Sequence, residues 1–450
     1  MNVSNALFVD LYELTMAQAY WRNGLRGTAT FNLFFRKLPP DRGYLIFAGL
    51  ESVVSYLESF RFTDEDLGHL ESLERFDRRF LRQLRDLRFT GQLRAIAEGT
   101  PVFVNEPVLE VQAPIIEAQL VETFLLNQAS LQTMLATKAA RVVHAAQGRS
   151  IVDFAARRTQ GLDAATSAAR CGYITGYAGT SNVQAAARFG IPAVGTMAHS
   201  FIMSFEHEQD AFRAYARSFP DETTLLVDTY ETLSGVANAI TIAREMLGEG
   251  HRLQAIRLDS GDLARLASAA RKMLDEAGLP SVQILASGGL DEYQIDEMCR
   301  AGVPIDGFGV GTRAGVSADA PYIDSAYKLV EYDGRPVLKL STDKVSMPGC
   351  KQVYRIETGG ISRRDIVASV GETVDRGRPL LQEVMRAGQT IVETPSLADV
   401  RANFKLEFGR LPEEVKAIRS PADYPVDVSN GLLDLMKDVT RTVRTRELGE

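Results

Sequence analysis

The sequence predicts a mixed α/β protein built around a βα barrel, and three observations support this fold class. Between residues 150 and 312 one unit recurs six times: an apolar strand whose last residues turn polar or glycine-rich, followed by a helix. The flanking parts contain segments that alternate apolar and polar residues, as β-strands do. The 450 residues, 45% of them hydrophobic, suffice for a large core divided among two or three domains.

The N-terminal part is predicted to mix helices and strands. A helix is expected over residues 11–21, a strand over 28–35 and helical structure over 62–87. Residues 92–112 alternate apolar and polar side chains around two turns, which indicates a small β-sandwich. A long helix over 115–147 then leads into the barrel, and residues 396–450 are expected to be mostly helical.

The six predicted strand ends indicate where the functional site lies. They read IVDFAARR at 151–158, VGTMAHS at 194–200, LLVDTY at 225–230, IRLDSGD at 256–262, ILASGG at 284–289 and FGVGT at 308–312. In a βα barrel the carboxyl ends of the strands meet at one mouth, so these distant segments are expected to surround a single pocket.

Composition excludes several classes of protein. The net charge of −8 argues against nucleic-acid binding. The chain has no run of 18 apolar residues and no basic, signal-like start, so a protein of the cytoplasm without a membrane partner is expected. The three cysteines are widely spaced, which favours reduced thiols over a metal site.

Two glycine-bearing strand ends predict a phosphate site. Ser287, Gly288 and Gly289 form one, and Gly309, Gly311 and Thr312 form the other. Glycines allow the backbone to approach a phosphate closely, and each loop precedes a predicted helix whose N-terminal N–H groups favour an anion. Late barrel loops are the usual phosphate site of this architecture.

Polar strand ends supply further candidates. Arg257, Asp259 and Ser260 are expected to hold ribose-like hydroxyls, directly or through Mg²⁺, whereas Asp262 is expected to cap the next helix. His199 ends another predicted strand, and Asp228 ends the one after it. A carboxylate that accepts the Nδ1–H of the histidine leaves Nε2 free as a base or nucleophile.

Arginines lie where an anionic substrate would need them. Arg36, Arg157, Arg158, Arg257 and Arg313 precede or follow predicted strands. Because an arginine fork pairs well with phosphate or carboxylate, their number indicates a polyanionic substrate.

Six motifs, in their order and spacing, resemble the nicotinate phosphoribosyltransferase family. They are DLYELTM at 10–16, FFRKLP at 34–39, GTMAHS at 195–200, LDSGD at 258–262, ASGGL at 286–290 and FGVGT at 308–312. The resemblance extends to MPGCKQVY at 347–354 and so covers most of the chain.

The resemblance implies an irregular TIM-like βα barrel plus an α/β sandwich domain formed by the N- and C-terminal parts of the chain. The divisions expected from it are 1–115, 116–325 and 326–450. It also implies that nicotinate and phosphoribosyl pyrophosphate give nicotinate mononucleotide and pyrophosphate, with Mg²⁺ as cofactor and ATP as co-substrate. A homodimer whose active site is shared across the interface is expected.

The resemblance further assigns roles to individual residues. It implies that ATP phosphorylates His199, supported by Asp228, and that Phe154 stacks on the pyridine ring, which Tyr12 reaches from the partner subunit. The expected contacts to base, ribose and pyrophosphate are Arg36, Arg157, Thr180, Ser181, Arg257, Asp259 and Ser260. The 5′-phosphate cradle comprises Ser287, Gly288, Gly289, Gly309, Gly311 and Thr312. The ligands of the metal are not predicted.

The resemblance implies that substrate choice depends on Ser181. The related nicotinamide enzyme carries an aspartate at this position, which would repel nicotinate, so the neutral serine near Arg157 and Arg257 favours the acid over the amide. The family usually has glycine where this chain has Ala155. The alternatives are a nicotinamide phosphoribosyltransferase, a barrel enzyme acting on another sugar phosphate, and a non-catalytic nucleotide-binding protein.

Overall fold

The computed structural model describes residues 5–340 and 346–449, which fall into two compact units. The first unit consists of residues 1–134 and 322–450, and the second of residues 135–321. Both units combine helices and strands, so the predicted mixed α/β class is confirmed. Among the described helices, none has the length and hydropathy required to cross a membrane.

The N-terminal elements follow the predicted order. The helices are α1 Leu11–Arg22, α2 Leu50–Ser59, α3 Asp64–Ser72, α4 Arg78–Asp86 and α5 Ile115–Leu120. The strands are β1 Thr28–Phe35, β2 Leu45–Ile46, β3 Gln92–Ala95, β4 Pro101–Val102 and β5 Pro107–Pro114. The long helix predicted over 115–147 is divided at Val121, after which α6 Glu122–Ala145 begins.

The middle of the chain alternates strands and helices. Its strands are β6 Ser150–Asp153, β7 Gly179–Thr180, β8 Thr224–Leu226, β9 Ala255–Leu258, β10 Gln283–Ala286 and β11 Gly307–Val310. Its helices are α7 Leu162–Thr175, α8 Val183–Phe189, α9 His199–Met203, α10 Glu208–Ser218, α11 Thr232–Gly248, α12 Leu263–Glu276, α13 Glu292–Arg300 and α14 Thr312–Gly315.

The C-terminal part adds eight strands and three helices to the described structure. The strands are β12 Ser325–Tyr332, β13 Arg335–Pro336, β14 Lys351–Thr358, β15 Ile361–Ser369, β16 Gly377–Pro379, β17 Gln382–Arg386, β18 Gln389–Thr390 and β19 Val426–Val428. The helices are α15 Leu397–Gly409, α16 Glu413–Lys416 and α17 Asn430–Leu448.

The sheets of the first unit join the two ends of the chain. The larger one has the order β13-β12-β1-β5-β3-β17-β18, in which N-terminal strands pair antiparallel with strands from the C-terminal part. A second sheet has the order β16-β14-β15-β19. Neither end of the chain therefore completes this unit by itself.

The second unit contains a parallel sheet of the order β7-β6-β11-β10-β9-β8. In the described ranges its outer strands β7 and β8 do not pair with each other, so the structure shows a curled half-barrel. The prediction of a strand over 194–200 is wrong. Residues 179–180 form a short strand instead. Ala193 pairs with Thr180 in a single β-bridge only, and its neighbour Pro192 has no N–H to donate.

Each unit encloses a buried ion pair. Arg355 contacts Asp365 at 2.6 Å in the first, and Arg141 contacts Glu292 at 2.9 Å in the second; all four side chains are fully buried. Lys138 adds a second cation to Glu292. Buried charges are stable only when paired, and loss of one partner typically costs about 3–5 kcal/mol. Glu292 thereby anchors the start of α13 to α6.

Glu13 in α1 should make stability fall as pH rises. It is fully buried, one oxygen accepts the Thr123 hydroxyl, and the other has no hydrogen-bonding partner among the described residues. Burial raises its pKa from 4.5 to about 8, so the folded state binds the proton more tightly than the unfolded state does. Between about pH 5.5 and about pH 8.5 the unfolding free energy should fall by about 3 kcal/mol because of this group.

Urea unfolding at both pH values tests this expectation. Glu13→Gln is neutral at every pH and should reduce the difference, whereas substitution of the exposed Glu65 by Gln should leave it intact. An unchanged pH dependence in Glu13→Gln would show that the carboxyl is ionised in the folded state.

Candidate active site

The carboxyl ends of the parallel strands in the second unit surround a cavity of about 900 Å³. Most of the predicted site residues line it: Phe154, Arg157, Thr180, Ser181, His199, Arg257, Asp259, Ser287, Gly288, Gly289, Gly309, Gly311 and Thr312. Asp228 and Ser260 stand behind the lining and bond to each other. Tyr12 and Arg36 belong to the first unit, where Arg36 pairs with Asp324, and their predicted roles stay predictions.

Gly288 is required by the close approach of two loops. Its φ is +105°, and a Cβ at this position would lie 2.0 Å from the backbone oxygen of Asp259. Gly289 also has a positive φ, of +74°, but faces open space. The loop after β10 can therefore bring its backbone against both Asp259 and a bound anion.

The predicted contribution of the α13 N-terminus to anion binding is wrong. Asp291 caps this helix and accepts from the N–H groups of Tyr293 and Gln294, and its other oxygen accepts from Arg313. The first turn thus already holds a carboxylate. An anion at this loop must rely on backbone and side-chain groups nearer to Gly288 and Gly289.

The second glycine loop makes room for an aromatic ring. A Cβ at Gly309 would lie 2.4 Å from Phe154 Cε2, so only glycine leaves the ring its place. Ala155, where the family usually has glycine, is buried, and its Cβ fits against Gly315, where an added Cβ would lie only 2.3 Å away. The methyl group at 155 thus occupies the space that the missing side chain of Gly315 leaves.

Asp153 holds two strand ends together, a function that the sequence did not reveal. Its buried carboxylate accepts the Thr180 hydroxyl at 2.6 Å and the backbone N–H of Ala155 at 2.8 Å. Burial raises the pKa of Asp153, and these two hydrogen bonds oppose the rise. The positions of Phe154 and Thr180 therefore depend on one carboxylate.

Arg257 connects three segments of the site. Its Nε donates to Ser287 Oγ at 2.8 Å, one terminal nitrogen to Thr196 Oγ1 at 3.0 Å, and the other to Asp259 Oδ1 at 2.7 Å. Its guanidinium also lies 5.3 Å from the ring centroid of Phe154. Because these hydrogen bonds use all three of its nitrogens and Asp259 matches its charge, Arg257 organises the pocket more than it offers charge to a ligand.

Asp259 is held in its ionised form. Burial raises its pKa, but hydrogen bonds from Ser287 and Arg257 outweigh burial and keep the pKa below the usual value. Its second oxygen lies 3.9 Å from Nε2 of His199. The carboxylate is thus an acceptor that faces the cavity.

The predicted hydrogen bond between Asp228 and His199 is wrong. Nδ1 of His199 lies 3.1 Å from the Thr229 hydroxyl instead. One oxygen of Asp228 accepts from the backbone N–H of Asp259 and from the Ser260 hydroxyl, and the other is buried without a partner among the described residues. Thr229 follows Asp228 directly, but its side chain was not among the predicted contacts.

Positive charge without a protein partner is concentrated at one edge of the cavity. Arg157 and Arg158 are exposed, line the pocket and form no side-chain hydrogen bond or ion pair with the described residues. Arg313, by contrast, is paired with Asp291. The two free guanidinium groups are therefore the cations best available to an anionic ligand.

Exposed apolar residues follow four segments that end at the cavity. Leu162, Val183, Met203 and Tyr230 each expose more than half of their surface. Of these, Val183 lines the cavity itself, so a ligand that fills the cavity would cover it.

The described residues contain no group of three or more His, Cys, Asp or Glu side chains arranged to hold a metal ion. A carboxylate oxygen of Asp259 nevertheless faces the cavity. Such an oxygen suits a hard cation that takes its other oxygen ligands from water and from a phosphorylated ligand.

The fold and these contacts are typical of α/β proteins that bind phosphorylated small molecules at the carboxyl edge of parallel strands. Family models agree along the chain. Residues 7–130 match the nicotinate phosphoribosyltransferase N-terminal domain, 149–355 the nicotinate phosphoribosyltransferase family, and 369–436 its C-terminal domain.

Individual proteins give the same result. A nicotinate phosphoribosyltransferase of Mycobacterium tuberculosis, pncB2, is 51% identical over 95% of this chain and 92% of its own length. One from Bacillus subtilis is 41% identical over 95% and 93%. The crystal structure of human nicotinic acid phosphoribosyltransferase superimposes with a TM-score of 0.87 at 30% identity and covers 96% of this chain and 99% of its own. The chain therefore belongs to the nicotinate phosphoribosyltransferase family.

A glycine in α11 should control the position of the Asp228 and Thr229 segment. A Cβ at Gly235 would lie 2.0 Å from the backbone oxygen of Val227, whereas one at Gly248 of the same helix meets nothing. Gly235→Ala should reduce the unfolding free energy by about 1–3 kcal/mol through overpacking. Gly248→Ala should leave it unchanged or raise it by up to about 1 kcal/mol. Chemical denaturation of both variants checks this, and equal stability would contradict the close packing at Gly235.

Proposed function

We propose that this protein is a nicotinate phosphoribosyltransferase, which converts nicotinate and phosphoribosyl pyrophosphate to nicotinate mononucleotide and pyrophosphate. This is the first step of NAD salvage from nicotinate, and a cytoplasmic location suits it. Family membership supports the activity. The observation that carries it is the cavity of the second unit, which combines a glycine loop, two free arginines and an aromatic ring.

The reaction requires positioning more than acid–base chemistry. The pyridine nitrogen attacks C1 of the ribose, the bond from C1 to the pyrophosphate oxygen breaks, and pyrophosphate leaves with the electron pair. The transition state places positive charge on the sugar and negative charge on the leaving group. Ionised Asp259 is suited to the ribose side, and Arg157 and Arg158 to the pyrophosphate or the carboxylate of nicotinate.

The 5′-phosphate is assigned to the two glycine loops. Ser287, Gly288 and Gly289 supply one side of the cradle, and Gly311 and Thr312 supply the other. Gly309 contributes indirectly, because its lack of a side chain gives Phe154 space to stack on the pyridine ring.

The preference for nicotinate over nicotinamide is assigned to the neutral side chain of Ser181 and the unpaired guanidinium group of Arg157. Ser181 is exposed, lines the cavity and adds no negative charge. The charge of Arg257 is largely matched by Asp259, so the carboxylate of nicotinate should depend on Arg157 more than on Arg257.

ATP is proposed as a second substrate that phosphorylates His199. One imidazole nitrogen attacks the γ-phosphorus, the bond to the bridging oxygen of the β-phosphate breaks, and ADP leaves with the electron pair. Water later removes the phosphoryl group as phosphate. The side chain of His199 is 40% exposed in the cavity, which allows such an attack.

Mg²⁺ is the proposed cofactor, and the donor set fits it. Asp259 would hold the ion at the cavity side, and the ion would neutralise charge on the pyrophosphate. The few protein ligands agree with an ion that keeps several bonds to water and to substrate.

The protein is further proposed to be a homodimer that shares its active sites. Phe8, Leu11 and Tyr12 expose 43–47% of their surface on the first unit, and the second unit carries the exposed apolar residues Leu162, Val183, Met203 and Tyr230. Each surface is suited to contact with a second copy. Tyr12 of one subunit would then reach the pyridine ring, and Arg36 the pyrophosphate.

A substrate assay tests the activity. Purified protein with phosphoribosyl pyrophosphate, Mg²⁺ and ATP should form a mononucleotide from nicotinate and little from nicotinamide or quinolinate. His199→Ala should lose stimulation by ATP and labelling from γ-labelled ATP, whereas substitution of the exposed His69 by Ala should keep both. Comparable turnover of nicotinamide would contradict the role of Ser181, and no product at all would favour another sugar-phosphate reaction.

Mixed dimers test the shared site. Tyr12→Ala and Phe154→Ala proteins should each be nearly inactive. After subunit exchange the mixture should regain about a quarter of wild-type activity, because half of the dimers then carry one intact site. No recovery in a mixture that sedimentation shows to contain mixed dimers would place Tyr12 outside the partner's site.

A further inference from the structure

We propose that Thr229 is the residue that positions the imidazole of His199, and that Asp228 acts one step away by fixing the loop that carries Thr229. This inference deepens the proposed function, since the phosphorylation of His199 rests on it. It reassigns the direct support of His199 from a carboxylate to a hydroxyl.

The first argument is the contact itself. Thr229 Oγ1 lies 3.1 Å from Nδ1 of His199, within hydrogen-bonding distance, although the two residues are 30 positions apart. Thr229 follows β8 and His199 begins α9, so the bond joins two separate loops. A hydroxyl can donate or accept, and it can therefore stay bonded to Nδ1 whether or not that nitrogen carries a proton.

The second argument is the group that faces the other ring nitrogen. Asp259 Oδ2 lies 3.9 Å from Nε2, and the other oxygen of this carboxylate accepts from Ser287 and Arg257. At this distance the carboxylate oxygen forms no hydrogen bond with the ring, so among the described residues the Thr229 hydroxyl is the group that fixes the ring's orientation. When this hydroxyl accepts from Nδ1–H, the lone pair of Nε2 stays free on the side of Asp259 to attack the γ-phosphorus.

The third argument is the place of Asp228. Its carboxylate accepts from the backbone N–H of Asp259 at 3.1 Å and from the Ser260 hydroxyl at 2.5 Å. These bonds join the loop after β8 to the loop after β9. Since Thr229 belongs to the first loop and Asp259 to the second, Asp228 sets the spacing of the two groups that flank His199 without touching the ring.

Two substitutions separate the hydroxyl from the shape of the side chain. Thr229→Val keeps the branched form and removes the hydroxyl, whereas Thr229→Ser keeps the hydroxyl. In single-turnover labelling with γ-labelled ATP, the valine variant should be slower by about 10- to 100-fold and the serine variant should stay within about threefold of wild type. Thermal melting of both variants verifies that they are folded.

A spectroscopic measurement decides the proposal independently of ATP. In protein with ¹⁵N-labelled histidine, the Nδ1 resonance of His199 is assigned through its absence in His199→Gln. Thr229→Val should shift this resonance because it removes the hydrogen-bonding partner of Nδ1, and Thr229→Ser should restore it.

The outcomes distinguish this proposal from the proposed function. Wild-type protein that takes no label from ATP would count against the role of ATP, and the Nδ1 resonance would then still decide the role of Thr229. An unchanged resonance in Thr229→Val would overturn the proposal. A larger change in Asp228→Asn than in Thr229→Val would also overturn it and return the direct contact to Asp228.

Discussion

The ion pair between Arg257 and Asp259 is the interaction on which the rest of the site depends. Both residues come from the end of β9, and their hydrogen bonds reach Ser287 on the next strand and Thr196 in the segment before His199. The pair lets two charged groups stand in a pocket that must also hold an aromatic ring. The pair keeps Asp259 ionised, and it also neutralises much of the positive charge of Arg257 that a ligand would otherwise meet.

Around this pair the site is divided by function. The free cations Arg157 and Arg158 stand at the edge of the cavity, the backbone of the glycine loops provides neutral donors, and the organising carboxylates Asp153 and Asp228 lie behind the surface. A polyanionic substrate can thus meet positive charge without pulling apart the hydrogen bonds that shape the pocket. Catalysis by positioning requires such a separation, because small displacements of the reacting atoms are costly.

Much of this arrangement can be predicted from the sequence. The predictions that are wrong share a physical cause, because each depends on contacts that the local sequence does not specify. Strand ends at Asp259 and Ser287 could be located because apolar runs and glycines mark them locally, and the architecture then brings them together. The segment 194–200 has the apolar residues of a strand, but strand formation also requires a pairing partner. The adjacent strand at Thr180 pairs on this side with Ala193 alone, in a single β-bridge. The capping of α13 by Asp291 and the contact between Thr229 and His199 depend on side-chain directions, which residue type and spacing do not specify.

The tight packing between Ala155 and Gly315 has a consequence for sequence variation. The space there is enough for one methyl group, and this chain places it at 155. A relative with glycine at the first position has room for alanine at the second, so the two sites are expected to exchange their small residues in a compensating manner. A substitution at either position should therefore be interpreted together with the residue at the other, because the two share one small space.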